Sequence, residues 1–390
     1  MNVFVKYTSR PNLSEQQQIL GILTEAFDSS VIAKNTQYGF FSGYKSDYDN
    51  FILLINGSAV IGVAIVAKRK INLLNSEVSA LSIGPVAIAL SHQRQGYSGR
   101  LLGAISNIAD RFGVAVLYLQ GIDDFYDRYD FYTCSSKAKL VFGVNDIEED
   151  ENVSIRPMHA SDIEFADAIY KSIAKSCSCT SFRTAADWDW LLNHGRQTWY
   201  FYEPTLVLNK GRPIGYFSSD PDDASRIREA VCEQPEDNIK FFLAGLREHC
   251  KHLKSIGKFE VMTWPGSPFY EFSKSQYNSK FLQFFKRNGS QMMKIQNQSA
   301  VCGLLAAYLP LSEVRECLVN KECCVVFEIS IKGSLVTIRI PKRYFPGFIC
   351  GFLGCRAIQN FAVLPREVRD YLTLFVSNIK PPFFYQGDNF

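Results

Sequence analysis

The segment from Leu81 to Arg111 constrains the fold more than any other part of the chain. It predicts an apolar strand over Leu81 to Ile88, then a short polar turn, a glycine-containing loop around Gly96, and an apolar-periodic helix. The first turn of a helix presents backbone N–H groups at the positive end of the helix dipole. Such a loop beside a strand edge suits a phosphate or pyrophosphate. The sequence therefore predicts a site for a phosphate-bearing cofactor.

Length, charge and cysteine usage limit the classes of protein that this chain can belong to. Its 390 residues predict two or three domains, and its net charge of +3 is too small and too dispersed to indicate nucleic-acid binding. Residues 1–7 lack the pattern of a signal peptide, and no apolar stretch is long enough to span a bilayer. The 11 cysteines contain no C-x-x-C pair, which favours buried, reduced thiols in a cytoplasmic protein.

Residues 1–145 form the first predicted unit, in the order β-α-β-β-β-α-β-α-β. Ser14 and Gln17 are spaced as a capping box at the start of the first helix, and Asn56-Gly57 marks a tight hairpin. The continuous apolar run 114–119 is typical of a buried central strand, and 137–142 is predicted to close the unit as a strand.

Residues 153–296 resemble a second, weaker copy of the same unit. After a predicted strand at 226–233 the turn carries Glu233, Glu236 and Asp237 where the first copy has Gln93, Arg94 and Gly96. Because carboxylates would repel a pyrophosphate, we expect one cofactor site per chain. Residues 297–390 predict helices at 300–309 and 366–378, strands at 323–330 and 335–340, and an aromatic tail, 383–390, that packs into its own chain or makes a subunit contact.

Three motifs in the first unit resemble those of the GCN5-related N-acetyltransferase (GNAT) superfamily. The stretch Gln93-Arg94-Gln95-Gly96-Tyr97-Ser98 is similar to its acetyl-CoA pyrophosphate loop, 84–88 to its bulged fourth strand, and 125–131 to its Phe-Tyr-x-Arg-Phe-Gly-Phe helix. Ser98 and Asp130 depart from the family pattern, Ser98 replacing a Gly or Ala and Asp130 a Gly. Asp tolerates left-handed backbone better than most residues do.

The layout of the whole chain resembles acetyltransferases of the enhanced intracellular survival (Eis) type. The resemblance implies an α+β fold with mixed sheets: a catalytic GNAT domain at 1–145, a degenerate GNAT-like domain at 153–296, and a sterol-carrier-protein-like domain at 297–390. Relatives of this type suggest a homo-oligomer, although no interface can be read from the sequence.

The resemblance implies acetyl-CoA as co-substrate. The loop amides from Arg94 to Gly99 would bind its pyrophosphate, with added charge from Arg94 and Arg100, and the strand edge at Val86 and Ile88 would hold the pantetheine arm and the thioester oxygen. The candidate cofactor-binding residues are Val86, Ala87, Ile88, Gln93, Arg94, Gln95, Gly96, Tyr97, Ser98, Gly99 and Arg100.

Tyr126 matches the family's tyrosine that protonates the departing thiolate, although it could instead be one packing aromatic among several. Two candidates exist for the base: Glu77, otherwise a solvated surface residue, and the terminal carboxylate of Phe390, which resembles the Eis arrangement. The acceptor amine is expected to contact the aromatic and acidic stretch after the first helix: Tyr38, Phe40, Phe41, Tyr44 and Asp47.

No metal is expected, because His249 and His252 share a helix face without a further ligand cluster. The favoured hypothesis is an acetyl-CoA-dependent N-acetyltransferase that acts on a primary amine of a small aminoglycoside-, amino-sugar- or polyamine-like molecule. Two alternatives stay open: a CoA-binding regulatory or scaffolding protein without activity, and binding of an apolar ligand by the C-terminal domain.

Overall fold

The structure is a computed structural model of the chain. It describes residues 3–27, 32–33, 36–41, 50–135, 137–194, 202–220, 223–233, 235–251, 257–263, 268–276, 280–284, 288–309, 311–319, 322–331, 334–350 and 372. In the first part of the chain these residues form seven strands and three helices: β1 Val3–Thr8, α1 Leu13–Phe27, β2 Phe51–Asn56, β3 Ala59–Leu73, β4 Ser76–Ile88, α2 Tyr97–Arg111, β5 Val116–Ile122, α3 Asp123–Tyr126, β6 Tyr132–Thr133 and β7 Lys137–Gly143.

The remaining elements follow the same alternation. The middle of the chain contains β8 Val153–Pro157, α4 Ile163–Ser176, α5 Ala185–His194, β9 Tyr202–Asn209, β10 Arg212–Ser219, β11 Arg226–Cys232, α6 Pro235–Lys251, β12 Lys258–Thr263, α7 Pro268–Gln276, β13 Lys280–Phe284 and β14 Asn288–Ile295. The last described part contains α8 Gln298–Ala306, β15 Leu311–Val319, β16 Glu322–Ile331, β17 Ser334–Pro341 and α9 Phe345–Ile349. The predicted helix at 366–378 and the aromatic tail lie outside the described residues, apart from Leu372.

Two seven-stranded mixed sheets and one three-stranded antiparallel sheet organise these elements. Their strand orders are β1-β2-β3-β4-β5-β14-β6, β13-β7-β12-β11-β10-β9-β8 and β15-β16-β17. The predicted α+β class with mixed sheets is confirmed. Among the described residues, no helix is long and apolar enough to cross a bilayer.

The two large sheets exchange a strand. β14 pairs with β5 over Ile295↔Val116 to Asn288↔Ile122, and its side chains Met292 and Met293 are fully buried. In the opposite direction, β7 lies in the second sheet between β12 and β13. The sequence predicted a strand at 137–142 correctly, but placed it with the first unit. Neither large sheet is therefore continuous in sequence.

Helices cover both faces of the first sheet. α2 packs Leu101, Ile105 and Ile108 against one face, and α1 packs Ile19 and Leu23 against the other. Because both faces are buried, β2 and the first half of β3 are nearly continuous apolar runs rather than alternating ones.

The cap of α1 differs from the predicted one. The side chain of Asn12 accepts from the N–H of Glu15 at 2.9 Å, and the Glu15 carboxylate accepts from the N–H of Asn12 at 2.9 Å. This reciprocal pair is a capping box two residues earlier than the predicted Ser14 and Gln17.

Buried hydrogen bonds lock the middle of the chain onto the first sheet. The side-chain amide of Asn72, at the end of β3, donates to the carbonyls of Ala174, Lys175 and Cys177 at 3.2, 3.2 and 2.8 Å. The last carbonyls of a helix have no partner within it, so Asn72 caps the C-terminal end of α4 from another sheet. Ile71 also forms a β-bridge with Ser181.

Candidate active site

A bulge separates two halves of β4. Its register against β3 runs through Ala64↔Val86 and then Val66↔Ile83, so β4 has one more residue than β3 at Gly84-Pro85. A bulge of this kind bends the strand and increases its twist. The fourth strand is thus bulged at the position that its sequence suggested.

β4 and β5 diverge at the same point. They pair in parallel from Ala80↔Val116 to Ile83↔Leu119, and their register ends there. Past the bulge, the N–H of Ala89 donates to Ile61 on β3 at 3.0 Å. Since backbone groups alternate sides along a strand, those of Val86 and Ile88 face the gap between β4 and β5.

The loop between β4 and α2 has left-handed backbone at two positions, Arg94 (φ 59°) and Gly96 (φ 80°). Gly96 is the N-cap of α2, and the N–H of Gly99 donates to its carbonyl at 3.1 Å. A Cβ on Gly96 would have no atom within 4 Å, so the backbone angle and not crowding requires glycine here. The N–H groups of Tyr97 and Ser98 therefore begin the helix next to open space.

Side-chain contacts brace this loop. Gln93 donates to the carbonyl of Ile88 at 3.1 Å and Gln95 to that of Ser91 at 3.2 Å. Arg100 donates to the carbonyl of Val3 at 2.6 Å, so its guanidinium is held at β1. The exposed Arg94 is the loop cation whose side chain extends from the left-handed turn.

Tyr126 ends the short helix α3 that directly follows β5. Its ring fits over Gly121, where a Cβ would lie 2.5 Å from Cδ2 of Tyr126, and it packs edge-on against Phe125 and Phe131 with centroids 4.8 and 6.0 Å away. Burial raises the pKa of the Tyr126 phenol to about 12. Among the described residues its hydroxyl has no hydrogen-bond partner. The sequence motif did not single out Gly121, although a glycine just before an aromatic helix is a signal for close packing.

The loop and the tyrosine segment touch through Gly99. A Cβ there would lie 3.3 Å from Cε1 of Tyr129, so glycine lets the first turn of α2 approach this ring. Asp130, the departure from the family pattern, has left-handed backbone at φ 65°, as Asp tolerates. Its carboxylate accepts from the Tyr132 hydroxyl at 3.2 Å and pairs with Lys342 at 3.3 Å, which ties the segment to the last part of the chain.

The structure does not bring Glu77 to this site. Glu77 begins β4, nine residues before Val86, which is roughly 25–30 Å along an extended strand. Its exposed carboxylate pairs with Lys70 at 2.5 Å. Glu77 therefore cannot reach a group held beside Val86 and Tyr126, which corrects its candidacy as the base.

The candidate acceptor residues are only partly described. Phe40 and Phe41 lie in a π-helical turn, Gln37–Phe41, and pack on Phe51 of β2 with centroids 6.0 and 5.4 Å away. Tyr38 belongs to the same turn. Tyr44, Asp47 and Phe390 lie outside the described residues.

The second large sheet also has two parallel strands that pair over a short stretch, but the helix that follows them begins with acidic residues. β11 and β12 pair in parallel only at Arg226↔Glu260 and Ile227↔Val261. The helix that follows, α6, begins at Pro235 with Glu236 and Asp237 in its first turn. Carboxylates at a helix N-terminus favour the dipole and repel a second anion.

No group of three or more His, Cys, Asp or Glu side chains with the arrangement of a metal site occurs in the part of the chain that the structure describes. The ring of His249 packs on Phe217 with centroids 4.8 Å apart, and His252 lies outside the described residues.

Residues 8–134 match the family model of the acetyltransferase (GNAT) domain. This part of the chain is a GNAT domain. The domain confirms the prediction of an N-acetyltransferase and implies that acetyl-CoA supplies the acyl group.

Solved structures share the fold over nearly the whole chain. The GCN5-related N-acetyltransferase from Anabaena variabilis is 15% identical with a TM-score of 0.67, covering 98% of this chain and 99% of that one. A probable N-acyltransferase from Enterococcus faecalis is 12% identical with a TM-score of 0.65 and 99% coverage of both chains. Eis1 from Mycobacterium abscessus is 12% identical with a TM-score of 0.63 and 100% coverage of both. No curated protein matches the sequence. At these identities the likeness concerns the fold, which extends beyond the GNAT domain.

Proposed function

We propose that this chain transfers an acetyl group from acetyl-CoA to a primary amine of a small molecule of the aminoglycoside, amino-sugar or polyamine kind, by direct attack in a ternary complex. The observation that carries the proposal is the gap between β4 and β5. Past the point where the register ends, β4 continues into the loop that opens α2, and β5 continues into α3 with Tyr126. An anion site, a strand edge and a proton donor, which acetyl transfer needs, thus belong to these two neighbouring strands and the segments that follow them.

The loop fits the diphosphate of acetyl-CoA. The N–H groups of Tyr97 and Ser98, the open space above Gly96, and the exposed charge of Arg94 together favour a bound anion. Gln93 and Gln95 support the loop by binding its carbonyls. Arg100 contributes at longer range, because its guanidinium is held by β1.

The strand edge suits the pantetheine arm and the reacting carbonyl. The backbone groups of Val86 and Ile88 face the gap, with Ala87 between them paired to β3. When bound, acetyl-CoA supplies an activated thioester. An N–H at the bulge would stabilise the oxyanion that forms on amine attack, and one such donor is typically worth about 2.7–4 kcal/mol.

Tyr126 would return a proton to the departing thiolate. With a pKa of about 12 the phenol is protonated throughout the neutral range. An ordinary thiol has a pKa of about 8.5, so its thiolate would be a weak proton acceptor beside such a phenol. The same desolvation that raises the phenol pKa would also raise that of the leaving thiol, because burial disfavours both anions. The difference between the pKa of the phenol and the pKa of the leaving thiol is therefore smaller inside the site than in water.

The base and the acceptor contacts remain proposals. With Glu77 at the far end of β4, the terminal carboxylate of Phe390 is the remaining candidate for accepting the ammonium proton. Tyr38, Phe40, Phe41, Tyr44 and Asp47 are proposed to contact the amine. A carboxylate and aromatic faces would both favour a cation.

We also propose three modules, 1–145, 153–296 and 297–390, the first two exchanging β7 and β14. The last is proposed to be sterol-carrier-protein-like. Its described core is closely packed by Phe327, Phe345 and Phe348, which counts against a large apolar ligand there. Mass spectrometry of the purified protein tests this, since a co-purifying lipid would favour the apolar-ligand alternative.

The direct test is release of free thiol from acetyl-CoA against aminoglycosides, polyamines, amino sugars and peptides. We expect release with at least one small amine, and none with Gly96→Glu, which places a carboxylate in the anion site. Calorimetry with CoA should show binding by the wild type and loss of binding by this variant. CoA binding without acetylation of any amine would instead support a regulatory or scaffolding protein.

A further inference from the structure

A second cleft lies at the opposite end of β4 from the catalytic gap. It has a volume of about 1000 Å³ and is bounded by the end of β3 and the start of β4 on one side, and by α4 and the start of α5 on the other. Glu77 and Ala80 line it, whereas Val86 is six residues beyond Ala80, about 20 Å further along the strand. The cleft is therefore separate from the proposed acetyl-CoA site.

Cations outnumber carboxylates along the walls of this cleft. Six basic side chains line it against two acidic ones, Glu77 and Asp187; the six are Lys68, Arg69, Lys70, Lys171, Lys175 and Arg183. Three of them, residues 68–70, are consecutive on β3, and the fold brings them together with Lys171 and Lys175 of α4 and with Arg183. Four of the six have a carboxylate partner: Arg69 pairs with Asp187, Lys70 with Glu77, Lys171 with Asp167 and Arg183 with Glu229.

The two arginines form the floor of the cleft, and the charge of each is paired with a carboxylate. The side chain of Arg183 is only 2% exposed and makes a bidentate pair with Glu229 at 2.8 and 2.7 Å. Arg69, at 6% exposure, pairs with Asp187 at 3.3 Å. Buried arginines held in this way are rigid, and they fix the position of the floor.

The lysines form the rim and are exposed to solvent. The side chains of Lys70 and Lys171 are 66% and 48% exposed, and they pair at 2.5 Å with Glu77 and Asp167, for which an anionic ligand would compete. The ammonium of Lys68 lies 3.6 Å from the centre of the Phe112 ring. Long lysine side chains on a rim can turn toward a ligand with little change in the backbone. A volume of this size suits a small organic molecule.

We propose that this cleft binds a small anion that carries two or more phosphate or carboxylate groups. Its charged groups would contact the rim lysines, above a floor that the paired arginines keep fixed. Because the walls come from the GNAT domain and from α4 and α5, such an anion would also strengthen the contact between these parts.

Calorimetry on the full chain tests this proposal, with inorganic triphosphate and citrate as probes at low and high NaCl. We expect at least one of them to bind, and to bind more weakly as salt rises. Tighter binding of triphosphate would assign a phosphate ligand, and tighter binding of citrate a carboxylate ligand. If neither probe gives a heat of binding, the proposal is overturned.

Variants locate the binding. Lys70→Gln with Lys171→Gln removes two exposed rim charges and should weaken binding about tenfold or more. Lys240 of α6 is an exposed lysine that pairs with Glu148 and lies outside the lining, so Lys240→Gln is the control and should bind as the wild type does. Gly96→Glu should retain binding here even though it loses CoA. The proposal is refuted if the double variant binds the anion as tightly as the wild type does, or if Gly96→Glu no longer binds it. Either result would assign the anion to another site.

Discussion

Replacing Gly121 with alanine should reduce turnover by displacing Tyr126. A Cβ at this position would lie 2.5 and 2.8 Å from Cδ2 and Cε2 of the Tyr126 ring, and 2.5 Å from Cδ1 of Leu119. Carbon atoms in contact sit about 3.5–4.0 Å apart, so the ring must move by about 1 Å. A misplacement of that size can cost roughly 10²-fold in rate, or about 2.7 kcal/mol of activation free energy.

The assay is kcat by thiol release with the best acceptor, together with the Kd for CoA by calorimetry. Gly121→Ala should lower kcat about 10²-fold and leave the Kd nearly unchanged, and Tyr126→Phe should lower kcat by about 10²–10⁴-fold. If Gly121 acts only through Tyr126, the double variant should be no slower than Tyr126→Phe alone. Gly103→Ala in α2 is the matched control, since its Cβ would have no atom within 4 Å. Unchanged kcat in Gly121→Ala, or losses that multiply in the double variant, would refute the reasoning.

Four further outcomes are expected. Gly96→Ala should weaken CoA binding and cost about 1–2 kcal/mol of stability in urea unfolding, because φ is 80° there; unaltered stability would contradict this. Asn72→Ala should lower the free energy of unfolding by about 2–3 kcal/mol, since buried carbonyls at the end of α4 lose their donor; a loss under half of that would show that water replaces the amide. The pH profile of kcat should contain no alkaline limb from Tyr126 below about pH 11, because its raised pKa keeps the acid form protonated; a limb near pH 9 that Tyr126→Phe abolishes would disprove it. Residues 1–145 alone should fail to unfold cooperatively by circular dichroism, because β14 is missing from their sheet; a sharp transition would refute the exchange.

Local features of the catalytic module could be predicted from sequence because short-range chemistry determines them. The Asn56-Gly57 hairpin, the strand that bulges at Gly84-Pro85, and the loop that needs left-handed backbone at Gly96 all depend on a few neighbouring residues. The same holds for Tyr126, whose place after β5 follows from its spacing. Their roles in catalysis stay predictions.

Long-range placement could not be predicted in the same way. Glu77 was a plausible base on the strand that carries the bulge, but distance along the strand removes it, and periodicity gives no such distance. The cap of α1 involves Asn12 and Glu15, although Ser14 and Gln17 have the same spacing. Two overlapping capping patterns compete, and the one whose carboxylate also pairs with Lys6 forms.

Because of the strand exchange, we expect residues 1–145 and residues 153–296 not to fold as separate units. A duplicated unit would be expected to close its own sheet, yet β5 takes β14 as its neighbour and β7 joins β12. Complete burial of Met292 and Met293 on β14 contributes about 1.5–3 kcal/mol for each side chain, in addition to the ladder of hydrogen bonds. β7, the second strand after Tyr126, thus joins the other large sheet, and β14, from much later in the sequence, lies between β5 and β6. The middle of the chain is therefore, through β14, a structural part of the sheet that carries the bulged strand β4.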